Sequence, residues 1–182
     1  GQVCHQGDHC FALLTQCLSA PVARIEVEAT GVVPLEGLWD CPTQLSARYV
    51  LQPGGVTLEW RQERQPGQPA FGLTLHAADA SVTIAQPDER AAISQRDGEA
   101  GSSAKEMHAE DVMDDWLRCI ATRETPAQSL ERGTTAAAMC GLANLSRQLG
   151  RKLTWDIAQS RFVDDPQADR LRGALGREGW RL

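Results

Sequence analysis

The chain has 182 residues, 42% of them apolar and 23% charged, which suits a single domain with its own core and excludes the disordered and fibrous classes. With 24 acidic against 18 basic residues the net charge is -6, and no Lys/Arg run is present to neutralise successive phosphates, so nucleic acid is not an expected partner. No apolar stretch approaches the roughly 20 residues that span a bilayer, and the N-terminal GQVCHQGDHC lacks the basic start and apolar block of a signal peptide, so the expected location is cytoplasmic unless a signal lies further upstream.

In chain order, residues 8 to 19 place Asp8 as an N-cap before Phe11, Leu14, Cys17 and Leu18 at helical spacing, which predicts a short helix with one buried face. From about 24 to 85 the period changes to two. ARIEVEATG turns Ile25, Val27 and Ala29 inward, TQLSARYVL alternates likewise, the glycine-rich turn at 53 to 55 leads into VTLEWRQ, and FGLTLHAA and ASVTIAQ follow, giving five short antiparallel strands with one covered face. Residues 86–105 carry few large apolar side chains and read as a mobile loop. Beyond it AEDVMDDWLRCIATRE sets Val112, Met113, Trp116, Leu117 and Ile120 on one helical stripe, ended by Pro126. A long helix through QSLERGTTAAAMCGLANLSRQLG has Ser129 as its cap and Gly150 as its stop. Its Ala136, Ala137, Ala138, Gly141 and Ala143 make it thin enough to lie close to a neighbour. Asp165 before Pro166 starts a last helix. The order of elements is α+β, a predominantly antiparallel sheet with helices on one face, in one domain over 1–182.

Six cysteines, Cys4, Cys10, Cys17, Cys41, Cys119 and Cys140, form no CxxC pair and are sparse for a disulfide scaffold, so free thiols in a reducing compartment are expected. Cys4, His5, His9 and Cys10 are zinc-type ligands, but their spacing matches no usual structural zinc pattern and no metal site is expected. His9 has two readings open: an acid/base, since imidazole titrates near neutrality, or a half-buried histidine at a helix start. A helical register would put His5 and His9 on one face, but Gly7 between them favours a turn. Trp116, Trp155 and Trp180 read as structural anchors, while Trp39 and Trp60 remain candidates for the border of a cleft. Arg151 and Asp156 read as structural, in an ion pair or in hydrogen bonds to nearby backbone, and His76 and His108 show no partner.

From Trp116 to Leu182 the chain resembles the C-terminal domain of the Gfo/Idh/MocA family of NAD(P)-dependent oxidoreductases. The residues that carry the resemblance are LANLSRQLGRKLTWD, then FVDDPQAD, then the closing REGWRL. The segment HQGDHCFA is similar to the family's junction motif, with His9 on its histidine, Gly7 on its glycine and His5 on its Asp/Asn position; Ala12 departs from its second acid. The resemblance implies that His9, aided by His5, takes part in catalysis and that Gln6 and Asp8 line the substrate. It also implies NAD or NADP in the full-length parent, a sugar or polyol substrate, and a homo-oligomer through the open sheet face, which an exposed apolar surface there would mark. No GxGxxG turn is present, and neither Lys105 nor Lys152 sits in the E-K-P context of the family's first domain. The 182 residues are therefore expected to be the substrate-binding and oligomerisation half, inactive alone, next to a missing Rossmann domain. The alternatives are a free-standing inactive assembly module and a domain of an NAD-dependent glycoside hydrolase.

Overall fold

The computed structural model describes residues 2–18, 20–37, 41–62, 72–76, 80–84, 92–95, 112–127 and 129–172. The first helix, α1 (Gln2–Cys17), starts well before Asp8, so Gly7 lies inside it and not in a turn. The reason is packing. Val3, Gly7, Cys10, Phe11 and Leu14 form one buried stripe at helical spacing. A Cβ at Gly7 would crowd Phe11 and Val3, at 3.3 Å from each, while meeting Trp60 Cη2 at an ordinary 3.7 Å, so its absence lets the side chains of the stripe pack closely. Glycine inside a helix costs about 1 kcal/mol relative to Ala, which burial of Val3 and Phe11 offsets. Cys17, on the last turn, is exposed.

Alternation sets the sheet. Strands β1 (Arg24–Val32), β2 (Gln44–Gln52), β3 (Val56–Gln62), β4 (Gly72–His76) and β5 (Ala80–Ile84) follow the order expected, each antiparallel to the last. Ile25 faces Leu51, Val27 faces Tyr49 and Ala29 faces Ala47. Tyr49 in turn meets Leu58, and Ala47 meets Trp60. These residues make the covered face, under α1 and the long helix α3 (Leu130–Leu149). The two helices run antiparallel: Asn144 of α3 reaches Cys4 near the start of α1, while Thr135 and Thr15 share a cavity at the other end. Trp60 is 0% exposed and belongs to this core; it borders no cleft, because the small residues Ala47 and Gly7 leave room for its ring. Tyr49, equally buried, donates its hydroxyl proton to Met139 O at 3.1 Å, tying sheet to helix.

Three more strands complete an eight-stranded sheet in the order β6-β5-β4-β3-β2-β1-β7-β8. β6 (Ala92–Gln95) lies inside the stretch expected as a loop. It pairs with β5, Ile93 opposite Val82, because a bare sheet edge accepts even a short strand; 86–91 and 96–105 fall outside the described residues. The helix-rich reading of the C-terminal third missed β7 (Leu153–Asp156) and β8 (Arg161–Phe162). β7 occupies the free edge of β1, Trp155 opposite Ile25, and Trp155 stacks edge-on against Phe162 at 5.0 Å. α4 (Pro166–Arg170) closes the described chain; Trp39, His108 and Trp180 lie outside the described residues.

Over β1 to β3 the uncovered sheet face is charged rather than apolar. Glu26, Glu28, Arg48, Glu59 and Arg61 alternate with the core residues, and Lys152 pairs with Glu26 at 2.7 Å, Arg61 with Glu59 at 3.0 Å and Arg24 with Asp156 at 3.5 Å. The helix α2 (Val112–Thr122) reverses another expectation. Its inward positions are polar: Asp115, 7% exposed, accepts a hydrogen bond from Ala127 N at 2.9 Å, pairs with Arg118 and lies against the buried Cys119. Trp116 is therefore turned outward and 53% exposed, not a core anchor. Among the described residues no helix is long and apolar enough to cross a membrane.

The join between helix and sheet rests on three residues. Ala29 N–H, beyond the last residue of β1 that β7 pairs, donates to Ser146 Oγ at 3.0 Å, and that hydroxyl donates to Arg151 O at 2.8 Å. Gly150, at φ 65, takes the left-handed conformation that ends α3 and sends the chain back along β1. Arg151 then grips Asp165 with both nitrogens, and Asp165 also caps α4 by accepting from Ala168 N at 3.0 Å. Arg151 and Asp156 are thus both structural, with separate partners.

Replacing Ser146 with Ala strands a buried N–H and a carbonyl, and should cost about 1–3 kcal/mol in urea unfolding; an unchanged midpoint would remove Ser146 from this role. The Arg151 guanidinium and the Ala168 N–H hold the Asp165 carboxyl down at about 2, below the roughly 3.9 of a free Asp. A depressed folded pKa gives stability that is complete above about pH 4 and lost as pH falls toward about 2. Asp165→Asn should accordingly flatten the dependence of Tm on pH in that window.

Candidate functional site

Helix α1 decides the geometry of the candidate residues. At 100° per residue His5 and His9 fall within about 40° of each other, and both are exposed, with ring centroids 6.5 Å apart and interplanar angle 70°. Gly7, expected to separate them, unites them, because it lets the helix continue. Asp8 lies on the flank toward α3, where its charge raises the Cys140 pKa. Gln6 projects on the opposite flank, half-buried, with its Oε1 enclosed and without a hydrogen-bond partner among the described residues. The helix therefore groups His5 and His9, with Asp8 and Gln6 on the two flanks at comparable angles from the pair. Ala12 comes next on the histidine face, so no carboxylate there orients either ring.

The sequence reading missed a polar contact between the helices. Asn144 Nδ2 donates to Cys4 Sγ at 3.4 Å and to Cys140 O at 3.3 Å. Burial pushes the Cys140 thiol up to about 12, and Cys4, Asp8 and Cys10 nearby add to the rise. The signal available in sequence was the Asn inside the small-residue stretch GLANLS, where an exposed polar helix face would be expected. All six cysteines are free, and Cys10 points into the core, away from His5 and His9, so the zinc-type residues do not converge. Among the described residues no group of three or more His, Cys, Asp or Glu is placed to hold a metal ion.

No wall stands over the histidines within the described chain. A cavity of about 410 Å³ lies at the far end of α1, between Thr15, Leu18, Pro21, Val22, Pro126 and Ser129. A depression of about 440 Å³ lies at one end of the sheet, lined by Thr30, Ser46, Arg61 and Gln62. Neither includes His5 or His9. The pair can hold or move a proton, but enclosing a substrate would need a second body. The described sheet is antiparallel throughout, and no parallel strand leads into a helix whose N-terminus could cradle a pyrophosphate, so the described residues do not fit a dinucleotide.

Residues 102–182 match a family model described as "Oxidoreductase family, C-terminal alpha/beta domain", that of the Gfo/Idh/MocA group. Among solved structures the chain is similar to UDP-N-acetylglucosamine 3-dehydrogenase GnnA from Acidithiobacillus ferrooxidans, at 18% identity and TM-score 0.56, over 78% of this chain and 45% of that one. An NAD-binding protein from Listeria innocua is similar at 12% identity and TM-score 0.57, over 84% and 51%. A super-repressor mutant of Gal80p from Saccharomyces cerevisiae is similar at 12% identity and TM-score 0.52, over 86% and 50%. These likenesses establish the fold, and the chain spans about half the length of the proteins it matches. No curated protein matches the chain in sequence.

The thiols around α1 offer a direct check of its placement. The exposed Cys4 and Cys17 should react rapidly with a thiol reagent at about pH 8, while the buried Cys10 and Cys140 should lag by at least about a hundredfold, since only an accessible thiolate attacks. Mass spectrometry of the labelled peptides reads this out; fast labelling of Cys140 would show that α1 and α3 do not pack as described.

Proposed function

Because residues 102–182 carry the C-terminal alpha/beta domain of the Gfo/Idh/MocA oxidoreductases, we propose that this chain is the substrate-binding half of an NAD(P)-dependent oxidoreductase acting on a sugar, a polyol or a derivative. The observation that carries the reading is the His5–His9 pair, displayed side by side on α1 with no wall of its own chain above it. A histidine poised in this way, closed over by a second domain, accepts the proton of a substrate hydroxyl while the carbon that bears it is oxidised. The nicotinamide that takes the hydride would belong to that second domain, since the described residues offer no cradle for it.

His9 is the acid/base in this proposal. His5, one turn before it, replaces the family's Asp or Asn and shares the proton or orients the substrate, and Asp8 lines the flank. Gln6, half-buried on the flank opposite Asp8, lines the substrate in this proposal. The likeness to a nucleotide-sugar dehydrogenase supports a carbohydrate substrate. The charged sheet face leaves oligomerisation with a polar, salt-sensitive contact as its route. A cytoplasmic location accords with six free thiols.

A second reading, an assembly module without catalysis, draws support from Ala12, which removes the family's second acid, and from the likeness to a Gal80p super-repressor. Kinetics on the parent polypeptide discriminate. His9→Gln should lower kcat/KM by about a hundredfold or more, with the Tm unchanged because the side chain is exposed. His5→Asn, which restores the family residue, should keep most activity. A parent that turns over sugars equally well without His9 would sink the catalytic assignment. The isolated 182 residues should neither bind NAD(H) in the micromolar range nor oxidise any sugar.

A further inference from the structure

We infer that the outward stripe of α2 is the docking surface for the cofactor-binding half of the parent polypeptide, an inference that rests on the functional reading above. Met113, Trp116, Leu117 and Ile120, spaced i, i+3, i+4 and i+7, are 56%, 53%, 52% and 46% exposed. Large apolar side chains at that spacing normally face a core. Here the buried positions are Asp115, which accepts from Ala127 N, and Cys119, and the apolar side chains are the ones left exposed.

The identity of the occupant follows from length and area. Each solved relative carries about as much chain again outside the matched region, the chain covering 45%, 51% and 50% of their lengths. Four half-exposed side chains of this size present on the order of 400 Å² of apolar surface. A stable dimer needs about 800 Å² from each partner, which the stripe alone does not reach. A contact between domains of one chain needs about 600–1,500 Å² in total and is helped by the covalent link. The charged open sheet face presents no comparable apolar surface among the described residues. Position agrees as well. The connector that follows α2 lines the same cavity as Thr15 and Leu18, which puts the C-terminal end of α2 about 15 Å along α1 from His5.

Hydroxyl-radical footprinting of the isolated 182 residues and of the parent polypeptide tests this. Met113 and Trp116 should oxidise rapidly in the isolated chain and at least fivefold more slowly in the parent, at any protein concentration, while the buried Met139 stays slow in both. Trp116→Glu in the parent should restore rapid oxidation of Met113. Equal rates in the two proteins would overturn the inference. So would protection in the isolated chain, which points to a second copy if it grows with concentration and to cover from within the chain if it does not. A reading frame that encodes no further domain overturns it outright. Nicotinamide binding by the parent, measured separately, distinguishes the two proposals: a parent that protects α2 yet binds no NAD(P) defeats the functional reading and leaves the docking surface standing.

Discussion

One hydroxyl, Ser146 Oγ, stands where α3, β1 and the return into β7 meet. It accepts the Ala29 N–H that β7 is too short to reach and donates to Arg151 O at the start of the return. A sheet edge half-covered by a short strand must find another partner for its remaining N–H groups, since a buried one without a partner costs as much as several good contacts gain. By supplying that partner from a helix, the chain locks α3 onto β1. With α3 fixed, its small residues Ala136 and Ala143 admit α1, and the core of Tyr49, Trp60, Phe11 and Met139 closes between helices and sheet.

That closure determines what is left facing out. α1 spends Val3, Gly7, Cys10, Phe11 and Leu14 on the core, so His5 and His9 are the residues that helical geometry turns away from it. The same arithmetic acts on α2 with the opposite sign. There the inward position holds a carboxylate tied to the backbone of the next connector, and the apolar side chains face out. Two features of the described residues are thus left outside the core: a pair of exposed histidines on α1 and an exposed apolar stripe on α2. The uncovered sheet face is different in kind. Its charged side chains pair both within a strand, as Arg61 does with Glu59, and between neighbouring segments, as Lys152 does with Glu26 and Arg24 with Asp156.

Period-two patterning made the central strands legible, because a strand buried on one side has no other way to segregate apolar residues. The caps at Ser129, Gly150 and Asp165 were legible for a similarly local reason: each acts on backbone within four residues of itself. The start of α1 was misplaced because Gly7 reads locally as a turn, and only the packed stripe shows that a Cβ there would crowd Val3 and Phe11. β7, β8 and β6 are too short to carry a period, and exist because neighbouring strands offer unpaired edges. Trp116 and Trp60 exchanged their expected environments, since an indole's surroundings depend on what lies across from it.

The sequence by itself therefore determined the α+β class, the central antiparallel meander, the helix caps and, through the residues from Trp116 onward, a resemblance to the C-terminal domain whose family model matches residues 102–182. Those properties are encoded within a few residues or in a contiguous motif. The tertiary structure decided the side-by-side placement of His5 and His9, the partners of Arg151 and Asp156, and the outward turn of α2. Each of these depends on which distant surfaces meet, and a pairing between residues far apart in the chain is fixed only once the core has closed around them.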